Sequence, residues 1–324
     1  MYNYVMRRIL IAIPVLFGVT VINFIIMKMA PGNPVDMLVN PKLPAAAAEA
    51  KRIELGLDAP AYEQYWNWLR NLVLHGDLGY SMITYEPVTR MIGEKLGPTL
   101  LLMGISLALG LAIAVPLGVI SAVRQYSKLD YAVVTLSFLG ISVPNFFLGL
   151  GLVYIFALKL DWLPTSGMTE LGSGGGFADV LTHLILPCVV LTANVTGRTI
   201  RYVRSSMLEI AGQDYLRTAR AKGLREALVV NKHAMRNALI PIVTILGMEI
   251  PILFGGAVVI EQIFSWPGIG QLTLSSIMSR DYSTIMGLNL VAAVVVIFAN
   301  LLTDIVYALA DPRIKHSYRG AARS

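Results

Sequence analysis

Six apolar runs, each near the length needed to cross a bilayer, divide this chain of 324 residues. They cover residues 9–29, 98–123, 131–158, 181–197, 239–264 and 285–310. A spanning helix needs about 20 mostly apolar residues, because the hydrocarbon layer is ~30 Å thick and a helix rises ~1.5 Å per residue. Composition agrees: 56% of residues are hydrophobic and 14% are charged, against about 25% charged in soluble domains. The expected fold class is an all-α polytopic membrane protein with about six transmembrane helices.

Arg7 and Arg8 precede the first run in the manner of a signal peptide. That run is longer than the ~7–15 residues of a signal core, and no small-x-small cleavage site follows it. It reads as an uncleaved first helix. The single cysteine, Cys188, lies in an apolar run and reads as a small buried hydrophobe. No disulfide framework is possible within one chain.

Charge in the connecting segments sets the expected orientation, because Lys and Arg stay on the cytoplasmic side. Residues 198–238 hold nine basic and three acidic residues, whereas residues 31–97 hold six basic and eight acidic. Arg124 and Lys128 mark a short connection, and Arg313, Lys315, Arg319 and Arg323 mark the tail. Six spans then put both termini and the two basic segments in the cytoplasm, with the acidic and Gly-rich (159–180) segments outside. Within the outer segment, 45–55 is a good helix former. Tyr62, Tyr65, Trp66 and Trp68 form a second helical stretch, suited either to the membrane interface or to a partner. The Gly-rich segment reads as a mobile loop.

Several chemistries lack their signatures. There is no GxxxxGK[ST] phosphate loop, no HExxH pair among His75, His183, His233 and His316, and no GxSxG elbow. The chain is therefore read as having no catalytic site, no metal and no bound cofactor. Glu249 and Asp304 lie within spans. An acid at mid-span costs about 2.5–3.5 kcal/mol on insertion scales, so each should face protein or water. Each reads either as part of a gate or path or as a satisfied bond between helices, and Asp304 also suits the inner interface. Glu261 sits near the outer boundary and is expected to be solvated. Pro116, Pro144, Pro187, Pro241 and Pro251 punctuate the runs and are expected to kink them.

The most informative segment is 213–241, QDYLRTARAKGLREALVVNKHAMRNALIP. Tyr215, Leu216 and Ala219 lie on or near one helical face. Gly223 can end that helix in a left-handed conformation, and a second helix can run from 224 to about 237. A short helix at a membrane's inner face can plug into a partner's groove. It can equally be a basic segment lying on anionic lipid.

This segment resembles the EAA loop of membrane subunits in binding-protein-dependent ABC importers. Arg217, Thr218 and Ala219 occupy the EAA slot, Gly223 the glycine, and Leu239, Ile240 and Pro241 the close. The Arg in the glutamate slot and the longer gap to Pro241 resemble the dipeptide/oligopeptide/nickel branch. So do MAPGNP at 29–34, LGLD at 55–58, GDLGYS at 76–81, EKLGPTL at 94–100, ISVPNFFLG at 141–149, LPTSG at 163–167, VVIEQIFSWPGIGQL at 258–272, Asp281 with Tyr282, and YALADPRI at 307–314.

The resemblance implies a type I importer permease fold in the inner membrane of a prokaryote. It implies a first helix plus extracytoplasmic domain at 1–97, a permease core at 98–304, and a helix end and cytoplasmic tail at 305–324. The implied partners are a homologous second permease in a heterodimer, two ABC ATPase subunits that hold ATP and Mg, an extracytoplasmic substrate-binding protein and membrane lipid, with no nucleic acid. The ATPase-coupling loop would comprise Asp214, Tyr215, Ala219, Arg220, Gly223, His233, Arg236, Asn237 and Pro241. Glu249, Pro144 and Asn145 are the candidates for a gate or path. Dipeptides or oligopeptides are the expected substrates. Nickel chelates, glutathione, and an ion-coupled secondary transporter are the alternatives.

Overall fold

The computed structural model describes residues 2–30, 53, 58–170, 172 and 174–310. The expected helix at 45–55, most of MAPGNP and LGLD, and the tail from 311 lie outside the described residues. The helices are α1 (Tyr2–Met29), α2 (Ala61–His75), α3 (Val88–Val123), α4 (Lys128–Ser142) and α5 (Asn145–Leu152), which continues as π-helical turns over Val153–Lys159. Then come α6 (Phe177–Ala211), α7 (Asp214–Ala221), α8 (Met235–Ile263), α9 (Ile269–Met278) and α10 (Tyr282–Ala310). Five of them are long and apolar enough to cross a membrane, and a sixth crossing forms if α4 and α5 are taken as one bent span.

That bend corrects the expectation of a continuous helix over 131–158. α4 and the Asn145–Lys159 helix meet at 96°. Pro144 has no N–H to donate, and it pushes the preceding residue out of the helical region. Val143 accordingly sits extended, at φ −80° and ψ 121°. Pro187, Pro241 and Pro251 do not break their helices, which run on through them.

Two spans are longer than read. α6 does not stop at Gly197 but runs to Ala211, and α3 begins at Val88 rather than Pro98. At ~1.5 Å per residue each is over 50 Å long, well beyond the ~30 Å hydrocarbon layer. Gly197 is a packing residue rather than a terminator: a Cβ there would lie 2.7 Å from the Ser137 carbonyl oxygen. Likewise the helix expected to end near Asn237 passes through a turn at Glu226–Leu228 and π-helical turns at Val229–Ala234, then straight into α8.

The described chain packs as two compact units. Among the described residues one is built from 2–5, Leu100–Trp266 and 298–310, the other from the described parts of Met6–Thr99 and from Pro267–Ile297. In the first, α6 runs between α4 and α8. Its larger core joins Leu102, Leu184, Val190, Leu191, Leu253, Ile260, Phe264 and Trp266. Cys188 is buried in this core, as expected. Part of the Gly-rich segment is tied to it: Gly167 N–H donates to the Phe264 carbonyl at 2.7 Å. Glu261 is fully buried, contrary to the solvated reading. The chain turns at Ser265, and Trp266 N–H folds back to the Glu261 carbonyl at 2.8 Å, which closes the site to solvent.

In the second unit α2 docks on α1. Tyr65 shares a 2.9 Å hydrogen bond with Thr20 and packs near Phe17 and Phe24, so the aromatic stretch is partly used inside the chain. Asp281 accepts hydrogen bonds from Ser81 Oγ, Met82 N–H and Thr284 Oγ1. That carboxylate pins the GDLGYS segment to the start of α10.

Candidate functional site: a short mounted helix and buried polar clusters

Three constellations in the first unit carry charge and polarity that an apolar bundle does not need. α7 forms one. Asp214 opens it and Arg220 stands in its last turn, each favourably placed on the helix dipole. Leu216 and Ala219 are buried and pack in a second core with Val119, Val203, Met207, Val229 and Ala238. Arg217, Thr218, Ala221 and Lys222 are exposed. α7 is thus fastened by one apolar edge and leaves the rest of its surface open.

The turn after α7 is built as read: Gly223 has φ +76°. Its reason differs from crowding, since a Cβ there would meet nothing within 4 Å. The left-handed backbone alone selects glycine. Ala219, named in the coupling loop, faces the chain's own core, so bulk there would disturb packing.

Side chains lock the turn from both sides. Arg220 donates to Glu226 through Nη2 at 2.9 Å and Nε at 3.1 Å. This hydrogen bond holds the Glu226 carboxyl below its usual range. Asn237 Nδ2 donates to the Tyr215 hydroxyl at 2.8 Å, tying α7 to the start of α8. The side chains of His233 and Arg236 lie outside the described residues. Pro241 sits half-buried within α8.

The second constellation runs between α5, α6 and α8. Asn194 Nδ2 donates to Asn145 Oδ1 at 3.1 Å, just past the Pro144 break. One turn along α6, Arg198 Nη2 lies 2.9 Å from Glu249 Oε2. Glu249 is buried while Arg198 keeps some exposure. The pair is close but poorly aligned: Arg198 Nε and Glu249 Oε2 make no directed hydrogen bond among the described residues. Charge proximity rather than bidentate geometry holds it, and loss of either group would leave the other charge poorly solvated. Nearby Thr199 Oγ1 is buried without a hydrogen bond among the described residues.

A third cluster escaped the sequence reading. Asp130, which borders the apolar run that begins at 131, is buried in the first turn of α4 and bound by Arg204. In the sequence Arg198 and Arg204 fall in the basic connecting segment, because the apolar run stops at Gly197. A recoverable signal was present: Arg198, Arg201 and Arg204 recur at helical spacing beyond the apolar run, and the first and last find acids on neighbouring helices. Asp304 lies half-buried near the end of α10. Among the described residues no group of three or more His, Cys, Asp or Glu could hold a metal.

Comparison with known proteins gives a consistent picture. Residues 114–316 match the family model described as binding-protein-dependent transport system inner membrane component. Residues 1–103 match the N-terminal model for membrane components of such systems. The oligopeptide transport system permease protein AppB of Bacillus subtilis (strain 168) is 47% identical over 318 residues, covering 98% of this chain and 100% of the relative. The glutathione transport system permease protein GsiC of Escherichia coli (strain K12) is 39% identical over 316 residues, covering 98% and 100%. Among solved structures, the MetNI methionine ABC transporter in an inward-facing conformation aligns with a TM-score of 0.57 at 16% identity. That alignment covers 69% of this chain and 97% of that one, a likeness of fold.

Proposed function

We propose, from the premise that this chain belongs to the family of binding-protein-dependent transport system inner membrane components, that it forms part of the translocation path of an ATP-driven peptide importer. It is a multi-pass inner-membrane protein and a permease subunit, working with ATPase and permease partners. Oligopeptides or dipeptides are the substrates this reading favours, because the relatives matched at full length include an oligopeptide permease. Glutathione, itself a short peptide, stays within the same class.

α7 carries the mechanistic part of the reading. It is a short helix fixed to the spans by Leu216 and closed by a left-handed Gly223, with its polar face open. A helix so mounted transmits a push from outside to α6 and α8, whose residues share its core. In this reading two ATPase subunits receive α7 and its counterpart on a homologous permease. They hold ATP and Mg, and nucleotide binding draws them together. An extracytoplasmic binding protein delivers the peptide. Both termini and α7 lie in the cytoplasm, consistent with the basic residues around α7. Asp214, Tyr215, Arg220, Gly223 and Asn237 shape the coupling segment, and Asn145, Pro144 and Glu249 border the path.

Reconstitution of the assembled transporter in liposomes tests this. Peptide uptake should require ATP and the binding protein, and should persist when an ionophore collapses ion gradients. Uptake driven by an imposed gradient without ATP would establish the secondary-transport alternative instead.

A further inference from the structure

We infer that the groove between α3, α4 and α6 binds an anionic phospholipid, with one acyl chain along the groove and the phosphate at Arg201. The inference needs only that these helices span a membrane. The groove has a volume of about 540 Å³ and is lined by Ile105, Leu109 and Ile113 of α3, Leu136 of α4 and Val189 of α6. It exists because α4 and α6 cross very closely. Their contact is made at Gly140, where a Cβ would lie 3.1 Å from the Ala193 carbonyl oxygen, and at Gly197. Both glycines line the groove, so its floor is low and its walls are branched side chains. From Ile105 to Leu117 the α3 wall rises about 18 Å, more than half the hydrocarbon thickness. A lipid tail of one leaflet matches that reach.

Charge at one end selects the headgroup. Along α6 the wall positions Ile185, Val189 and Gly197 fall on a four-residue row whose next member is Arg201. Arg201 is exposed, and its guanidinium lies 5.2 Å from the Phe138 ring centroid. Among the described residues it has no carboxylate: Asp130, on the facing helix, is already held by Arg204 through two hydrogen bonds. Arg124 and Lys128, which flank the α3–α4 connection, are exposed as well. An uncompensated arginine beside a lipid-facing apolar groove is costly unless it reaches a phosphate, and its long stem allows that. A lipid phosphate supplies the missing anion, and the tail covers the exposed groove.

The test uses the assembled transporter in phosphatidylcholine vesicles with spin-labelled phosphatidylglycerol. The expected result is a motionally restricted population that prefers phosphatidylglycerol over phosphatidylcholine. Arg201→Gln should weaken that preference about fivefold, the worth of one basic residue near the headgroups, while Arg201→Lys retains it. Val189→Trp, which fills the groove from a wall position, should shrink the restricted population with Arg201 intact. Unchanged phosphatidylglycerol binding in both Arg201→Gln and Val189→Trp overturns the inference. So does a photo-crosslinker at Leu136 that captures another subunit rather than lipid, since the groove is then a protein interface.

Discussion

Arg204 holds Asp130 through two parallel hydrogen bonds, Nε to Oδ1 and Nη2 to Oδ2, each 2.8 Å long. Ser121 Oγ and the Tyr126 N–H also donate to the carboxylate. One buried acid therefore ties the end of α3, the start of α4 and the C-terminal half of α6.

Breaking this cluster should be expensive. Removing one partner of a buried pair strands the other, which typically costs about 3–5 kcal/mol. Asp130→Asn and Arg204→Gln should each sharply lower the thermal stability of the purified permease and its level in the membrane. Loss of both together should cost less than the sum, because the pair is coupled. Additive losses would show that the two groups act independently.

The Arg198–Glu249 pair is expected to behave differently. Glu249→Gln keeps the size, removes the charge and leaves Arg198 uncompensated. Stability should fall, and Arg198→Gln in the same chain should recover part of it. Uptake per assembled complex, measured against permease content in the same vesicles, should stay near the unaltered level. A collapse of uptake at full assembly would instead make Glu249 a working part of the path.

The Arg220–Glu226 pair is solvent-exposed and should matter little by itself, about 0.5 kcal/mol once solvent screening is counted. Its pH dependence has a definite sign. The Glu226 carboxyl is lowered by the Arg220 hydrogen bond, so its contribution is present above the unfolded-state carboxylate range. That contribution fades as pH falls through the lowered folded value. Acid titration of thermal stability should show a slightly smaller loss in Arg220→Gln than in the unaltered chain. A larger acid loss in the variant would contradict the assignment.

At Gly223 the positive φ predicts an order of tolerance. Asn enters the left-handed region readily, whereas a β-branched residue does not. Since no neighbour crowds the site, Gly223→Asn should retain most uptake. Gly223→Val should lose most of it, together with peptide-stimulated ATP hydrolysis, at normal membrane levels. Equal loss in both would point to crowding in the assembled transporter rather than backbone strain.

Apolar length made the membrane class and the approximate span number legible in the sequence, and helical spacing followed by a glycine made the Gly223 turn legible. Boundaries were less so. The apolar run stops where Arg198 begins a basic segment, yet α6 continues, and Gly197 is the point where it meets the Ser137 carbonyl. Ending α6 there turned Arg198 and Arg204 into loop residues and hid their pairing with Glu249 and Asp130, acids on other helices. Pro144 reads the same as Pro187 or Pro251 along the chain. Only its helix breaks, with Val143 extended and no helical hydrogen bond carried across. Ala219 sits on the predicted face of α7, but the pattern alone could not say that this face belongs to the chain's own core.

Cysteine cross-linking of α7 to the ATPase subunit, in a Cys188→Ala background, tests the coupling assignment at its point of contact. Single cysteines at Arg217, Thr218 and Ala221 probe the open face, and one at Ala219 probes the buried edge. The coupling account predicts oxidative cross-links to engineered ATPase groove cysteines from the open face, few from Ala219, and a change in yield when ATP is added. Failure of every open-face position to cross-link, in complexes that still import peptide with ATP, would contradict it.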